Sequence, residues 1–282
     1  MIGLICNDEI ALVGHGLFNN FRLALYNYFN QTNFKEIKSV QDVTNDIKQL
    51  IIVDEHFAPN VNIWKTSNFI NTVNSKNIKV IVFNFEKIYN SSFPWNIDHQ
   101  NKLTMFKHLI QIVSDTDDAI ILKKNIINKQ FLSKDTNLNI QPKPNKINKI
   151  LFIGQLDGAQ YSSRRDIIHK LQNIGLNIEV VQTNRKLSYI DFLNKMNEYM
   201  FILNPLGTGK FINLRHYEAI RLGCTPVQQI TDSMIKFYPP NGNAIYFSDP
   251  LTIKLRLTNF ISLKNETFLE NYFDEIKLND II

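Results

Sequence analysis

Short apolar runs that recur along the chain, separated by longer amphipathic stretches, limit its possible folds more than any other feature. Ile2–Cys6, Gln49–Val53, Lys79–Phe83, Ala119–Leu122, Lys149–Ile153, Asn177–Val181, Tyr199–Leu203 and Thr225–Gln228 read as strands. Leu17–Phe29, Ile97–Val113, Ser162–Ile174, Ser188–Asn197 and Phe211–Leu222 carry apolar residues at helical spacing. Strands alternating with helices argue βαβ units, hence parallel sheets and the α/β class. A length of 282 residues suggests two domains. The segment Gln141-Pro-Lys-Pro-Asn-Lys146 is polar, holds two prolines and precedes a fresh strand, so it reads as the connection between them. The expected organisation is a Rossmann-like domain over 1–140, a linker over 141–149 and a second Rossmann-like domain over 150–282, whose last helix packs there or crosses back to the first. In such folds ligands bind beyond the carboxyl ends of the strands, so functional residues belong in the loops that follow them.

Composition narrows the function classes. No apolar run approaches the ~18 residues that a membrane span needs, and the mean hydropathy is −0.17. The start MIGLICNDEI lacks a basic region and meets Asp8 and Glu9 at once, which fits a first strand and not a signal peptide. Cys6 and Cys224 read as buried free thiols in a reducing cytosol, and the expected location is cytoplasmic. The abundance of Asn, Ile and Lys fits an AT-rich genome, as in many viruses and some bacteria. The net charge is +5, but Lys143–Arg221 alone holds twelve basic residues against six acidic ones. A basic middle segment suits a phosphate-bearing ligand, and it equally fits a solvated basic face.

The most informative stretch is Leu203-Asn-Pro-Leu-Gly-Thr-Gly-Lys-Phe-Ile-Asn-Leu-Arg-His-Tyr-Glu-Ala-Ile-Arg-Leu-Gly-Cys-Thr-Pro-Val227. A buried strand ends at Leu203, a loop with Gly207, Gly209 and Lys210 follows, and a helix runs from near Phe211 to Gly223. Loop amides and a helix N-terminus make a site for anionic oxygens. Arg215 and Glu218 are three apart and share one helix face. There a carboxylate can accept from a ribose diol and a guanidinium can meet phosphate. Spacing alone also fits a surface salt bridge. A second strand–loop–helix pattern runs from Leu151 through Gly154 to Leu171, with Ser162 or Ser163 as N-cap and Arg164 and Arg165 in the first turn. Cations there oppose the helix dipole, which pyrophosphate binding would explain, one of the two otherwise pointing to solvent. Neither a G-x-G-x-x-G fingerprint nor a Walker sequence occurs. Arg185 and Lys186 follow the strand Asn177–Val181.

The pattern P-x-G-x-G…R-x-Y-E-A-x-x-x-G-C-x-P-V resembles the donor-site motif of GT-B glycosyltransferases, including exostosin-like ones. The resemblance implies two Rossmann-like domains facing each other across a cleft. Glu218 would hold the nucleotide ribose, with Arg215, Arg185, Gly154, Gly207 and Gly209 around the nucleotide and Arg164, Arg165 and Lys210 at the diphosphate. The loop Phe83–Asn96 is similar to one in the DNA β-glucosyltransferases of T-even phages, and Glu86 falls where those enzymes carry a catalytic aspartate. Gly175–Glu179 and the Arg215 helix are similar too. The chain departs from them in the Glu for Asp exchange, in shifted phosphate-loop arginines and in a shorter length. The implied activity is inverting transfer of a sugar from a nucleotide-diphosphate sugar, UDP being the commonest donor nucleotide in such families. Glu86 is the candidate base and His15, between two glycines, the lesser one. The implied acceptor is 5-hydroxymethylated cytosine in duplex DNA. A surface or capsid glycan acceptor, with a cleft of Trp64, Tyr89, Phe93 and Trp95, is the second reading. A non-catalytic nucleotide-sugar-binding protein is the third. Retaining stereochemistry and the oligomeric state stay open. No cofactor is required, with Mg²⁺ at most stimulatory. Asp115 and Asp117 form a D-x-D pair that could hold a divalent cation, but they read better as a turn between helix and strand. His99, His108 and His169 read as structural or surface residues.

Overall fold

The computed structural model of the chain describes residues 1–5, 34–54, 63–84, 95–122, 140–183, 187–207, 209–237 and 242–258. They build two parallel five-stranded sheets with flanking helices, an α/β Rossmann-like arrangement present in each half. The first sheet comprises β1 (Ile2–Ile5), β2 (Phe34–Glu36), β3 (Gln49–Asp54), β4 (Lys79–Asn84) and β5 (Leu109–Val113), in the order β2-β1-β3-β4-β5. The second comprises β6 (Ile147–Gly154), β7 (Ile178–Gln182), β8 (Tyr199–Asn204), β9 (Thr225–Gln229) and β10 (Ile245–Phe247), in the order β10-β9-β8-β6-β7. Both follow one plan: the second strand lies on one side of the first and the remaining three on the other. The winding direction therefore reverses between the first and third strands of each sheet, the position at which open α/β sheets generally receive ligands.

Apolar periodicity explains the second sheet. Ile150, Leu151, Phe152 and Ile153 of β6 are all buried. Ile150 and Phe152 pack with Ile168 and Leu171 of α4 (Ser162–Asn173) and Ile253 of α8 (Pro250–Thr258). Leu151 and Ile153 pack on the opposite core with Leu193 and Met196 of α5 (Tyr189–Met196) and Ala219 of α6 (Leu214–Arg221). A strand covered by helices on both faces loses the polar half of its alternation and becomes a continuous apolar run. α6 stops where its successor needs a left-handed backbone: Gly223 has φ 65°. Cys224 N donates to Ala219 O and Gly223 N to Ile220 O, the paired bonds of a Schellman end. A short helix, α7 (Asp232–Ile235), follows β9. In the first half, Phe69, Ile70 and Val73 of α1 (Ser67–Ser75) join Val80 and Val82 of β4 in the core, and the Thr66 hydroxyl caps α1 by accepting from Phe69 N.

Two readings from periodicity are corrected. The helical pattern Ile97–Val113 divides into α2 (Trp95–Leu103) and the strand β5. Leu103 and Phe106 do face the core and Leu109 packs against it, so their three-residue spacing imitated a helix across a helix end. Ala119–Leu122 is not a strand but the end of α3 (Thr116–Leu122). Asp115 begins that helix: its Oδ1 accepts from Asp117 N at 2.9 Å and Asp118 N at 3.2 Å. The D-x-D segment therefore joins a strand to a helix, the reverse of the expected order, and one Asp115 oxygen serves as a cap. Among the described residues no His, Cys, Asp and Glu cluster could hold a metal ion, and no helix is long and apolar enough to cross a membrane.

The proline-bearing segment is strapped to the second half. Asn197, 2% exposed at the end of α5, donates from Nδ2 to Gln141 O and accepts at Oδ1 from Lys143 N and Lys146 Nζ. Replacing Asn197 with Ala removes these bonds and leaves buried polar groups unmatched. We expect a loss of about 1–3 kcal/mol in unfolding free energy and faster proteolysis within 141–146. Unchanged melting and unchanged cleavage would show that the strap contributes nothing.

Candidate anion-binding site

β6 and β8 are paired neighbours that flank the switch point of the second sheet, and they end at Gly154 and Asn204. A short 3₁₀ turn, Ala159–Tyr161, leads directly into α4. Tyr161 takes the N-cap position without a side-chain cap bond, so neither serine caps the helix as expected. Arg164 and Arg165 do stand in the first turn. Arg164 is 8% exposed, donates from Nη1 to Gln155 O at 3.0 Å and lies 4.9 Å from the centre of the Tyr161 ring. Its Nη2 lies where a Cβ on Gly207 would approach to 2.8 Å. Arg165 is partly buried, and its Nη1 donates to the carbonyls of Leu156 and Gly158. It braces the glycine loop after β6 instead of pointing to solvent.

Arg215, in the first turn of α6, reaches across to the end of β6. A Cβ on Gly154 would stand 2.6 Å from its Nη2, and its Cζ lies 5.4 Å from the centre of the Phe152 ring. Glycine is needed at 154 because the guanidinium rests against the backbone there. A hydrogen-bond chain sets its angle. Gln228 Nε2 donates to Gln229 O at 2.6 Å, which makes Gln228 Oε1 the acceptor for both Asn204 Nδ2 and His216 Nδ1. Asn204 Oδ1 is then free to accept from Arg215 Nη1, at 3.2 Å. The chain also places the His216 proton on Nδ1. Burial pushes this imidazole down to about 3, against a smaller opposing effect of Gln228, so it is neutral. The Gln229 side chain accepts from Leu206 N at 2.9 Å and ties down the loop after β8.

The charges are poorly matched within the protein. Burial first, and the charge of Arg164 second, push Arg215 down to about 9, with Glu218 opposing; it stays a cation at neutral pH. Its Nε is enclosed and has no hydrogen-bond partner among the described residues. No ion pair joins Arg215 to Glu218, so the surface salt bridge allowed by their spacing is not formed. Glu218 is instead 4% exposed and accepts at Oε1 from the Tyr189 hydroxyl at 2.5 Å. Burial pushes its carboxyl up to about 7, opposed by the Tyr189 hydrogen bond and the charges of Arg215 and Arg221. Guanidinium groups held together at a strand switch point, one with a sealed and unsatisfied N–H, can receive an anion bearing several oxygens.

Other expected residues separate clearly. Gly209 is buried and Lys210 partly buried in the loop between β8 and α6. Glu86, His15 and Arg185 lie outside the described residues, as do Tyr89 and Phe93. Trp64 is fully buried in the first core, edge-on to His99 at 5.1 Å, and does not line an open cleft. His99 accepts or donates at 3.2 Å with Asn84, His108 pairs with Asn77, and His169 is exposed on α4. Asn204, Gln228, His216 and Tyr189 escaped the sequence reading. For Asn204 and Gln228 the one local signal is a polar side chain within a buried strand, as in Leu203-Asn204 and Val227-Gln228; His216 and Tyr189, on α6 and α5, carry no such signal.

No protein-family model matches the chain, and no curated protein matches it. Among solved structures, it is similar to an NAD⁺-bound 3-phosphoglycerate dehydrogenase of Entamoeba histolytica. The identity is 12%, the coverage 100% of this chain and 89% of that one, and the TM-score 0.25. At that score the likeness carries no argument.

Two outcomes follow from this geometry. Inorganic pyrophosphate should raise the melting temperature of the wild type, and Gly207→Ala, which pushes on Arg164 Nη2, should abolish most of that rise. An equal rise in both proteins would move the anion elsewhere. For Glu218, a carboxyl raised on folding disfavours its anion, so folding stability declines as pH climbs from about 4.5 to about 7 and stays reduced above that. Glu218→Gln should therefore be more stable than the wild type at about pH 8 by on the order of 2–3 kcal/mol. The difference should vanish towards about pH 4.5. Parallel pH–stability curves from chemical denaturation would contradict the raised carboxyl.

Proposed function

We propose that this chain is an inverting glycosyltransferase of GT-B organisation that binds a nucleotide-diphosphate sugar at the carboxyl ends of β6 and β8. The observation that carries this reading is Arg215: a guanidinium seated on Gly154 and Phe152, oriented by Asn204, with an enclosed Nε that lacks a partner among the described residues. Buried cations call for an anion. A nucleotide diphosphate supplies one, together with a ribose diol for the carboxylate of Glu218, three residues along the same helix.

Transfer would proceed by attack of an acceptor hydroxyl oxygen on the anomeric carbon. The bond from that carbon to the diphosphate oxygen breaks as the new one forms, and the acceptor proton passes to a base. Glu86 is the candidate base, followed by His15. Charge then builds on the leaving diphosphate, and preorganised guanidinium groups such as Arg164 and Arg215 lower the barrier there. UDP is the nucleotide of first choice and Mg²⁺ is not required by this scheme.

The acceptor we favour is 5-hydroxymethylcytosine in duplex DNA. The twelve basic residues between Lys143 and Arg221 support it, together with the resemblance of the loop around Glu86. Such an enzyme must flip the base or reach its hydroxyl in the groove. Its DNA affinity should fall by about 10-fold or more between low and moderate salt through counterion release. A flat salt profile would rule out a phosphate-tracking surface.

The decisive assay offers a panel of nucleotide sugars with duplex DNA containing either cytosine or 5-hydroxymethylcytosine. Transfer to the modified duplex alone is the expected result. Nucleotide release without transfer to either duplex would move the acceptor to a glycan, and failure to bind any nucleotide sugar would leave a protein without transferase activity. Glu218→Gln should weaken nucleotide binding by roughly 10- to 100-fold, the worth of a charge-assisted hydrogen bond. Unchanged affinity would remove Glu218 from the site.

A further inference from the structure

We propose that Tyr189 is the positioning residue for Glu218: its hydroxyl secures Oε1 and so presents Oε2 to a ribose hydroxyl of the bound nucleotide. This inference rests on the donor-site reading above and deepens it.

The two residues come from different helices, α5 and α6, and their 2.5 Å hydrogen bond joins positions 29 apart in the chain. The Glu218 carboxylate makes no other hydrogen bond and no ion pair among the described residues, so Oε2 keeps its acceptor capacity, and 4% of the residue stays accessible. The Tyr189 ring is itself held. It stacks on Phe192 with ring centres 6.3 Å apart and planes 15° from parallel. Ser188 anchors the start of α5 by accepting from Asp191 N at 3.1 Å and donating to Asp191 Oδ2 at 2.6 Å. A carboxylate that would otherwise rotate is thus clamped at one oxygen. Tyr189 has no part in the motif from Pro205 to Val227, and spacing gives no hint of it.

The clamp also sets when the carboxylate is available. The groups that act on Glu218 are Arg215 and Arg221 on its own helix and Tyr189 on α5. All three favour the anion against the opposing effect of burial, and the Tyr189 hydrogen bond is the largest of the favourable influences. A ribose diol is best held by the ionised form, since protonation turns one acceptor oxygen into a donor. Nucleotide affinity should therefore increase with pH through neutrality, and the midpoint of that increase should depend on the phenol.

The test is calorimetric titration of the full chain with UDP from about pH 6 to about pH 9, bracketing the ordinary working range. Wild type should bind more tightly as pH rises. Tyr189→Phe retains the stacked ring and loses only the hydroxyl, so its midpoint should move to higher pH and its affinity at neutrality should drop several-fold. Fluorotyrosine at position 189 is a stronger donor and should move the midpoint the opposite way, which keeps the test decisive should the Phe variant fold poorly. Binding with the same midpoint in all three proteins overturns the role of Tyr189 while leaving the donor site intact. Absence of UDP binding by the wild type at every pH overturns the donor-site reading and this inference with it.

Discussion

A single guanidinium laid against bare backbone organises the carboxyl end of the second sheet. Arg215 can occupy its place because residue 154 has no side chain, because the Phe152 ring lies beside it, and because Asn204 ends β8 within reach. Two of these constraints lie on β6 and the third on β8. The Gln228 amide orders them: it has one orientation, fixed by Gln229 O, and from that orientation follow the Asn204 rotamer and the His216 tautomer. A network of this kind is stable only when its members agree, and a wrong amide rotamer anywhere along it would leave a buried group unmatched.

The same end of the sheet holds most of the strongly perturbed titrating groups described. Glu218 is raised, Arg215 and His216 are lowered, and Tyr189 is raised by burial and by Glu218. Burial is the largest cause in all four. Perturbation of this kind is a departure from the most stable arrangement, and it marks this end of the sheet as the candidate site. Lys195 is a useful contrast: it is raised chiefly by its bond to Glu198, in a partly exposed ion-pair cluster that also includes Lys143 and Glu179. Cys224 is raised by burial and donates to Met196 O, as a packed thiol does.

Both halves share one strand order, and the residues after β6 and β8 show why that matters. Loops at a switch point diverge, leaving room between Gly154 and Gly207 for two arginines that approach from α4 and α6.

The alternation of strands and helices, the βαβ class and the common face of Arg215 and Glu218 could be read from the sequence because they depend on local periodicities, near two residues in a strand and 3.6 in a helix. The Gly223 helix stop was equally local. Where local pattern was ambiguous the reading failed: Leu103, Phe106 and Leu109 kept helical spacing across a helix end, and Ala119–Leu122 is apolar enough for a strand but is capped as a helix by Asp115. Tertiary structure alone decided that Arg165 braces a loop while Arg164 faces Gly207, that Gln228 orients Arg215 through Asn204, and that Tyr189 reaches Glu218. These relations join residues up to 29 positions apart through side-chain rotamers, and no repeating distance along the chain encodes them. The chain's own pattern determined which elements form, and the packing of those elements determined which side chains meet.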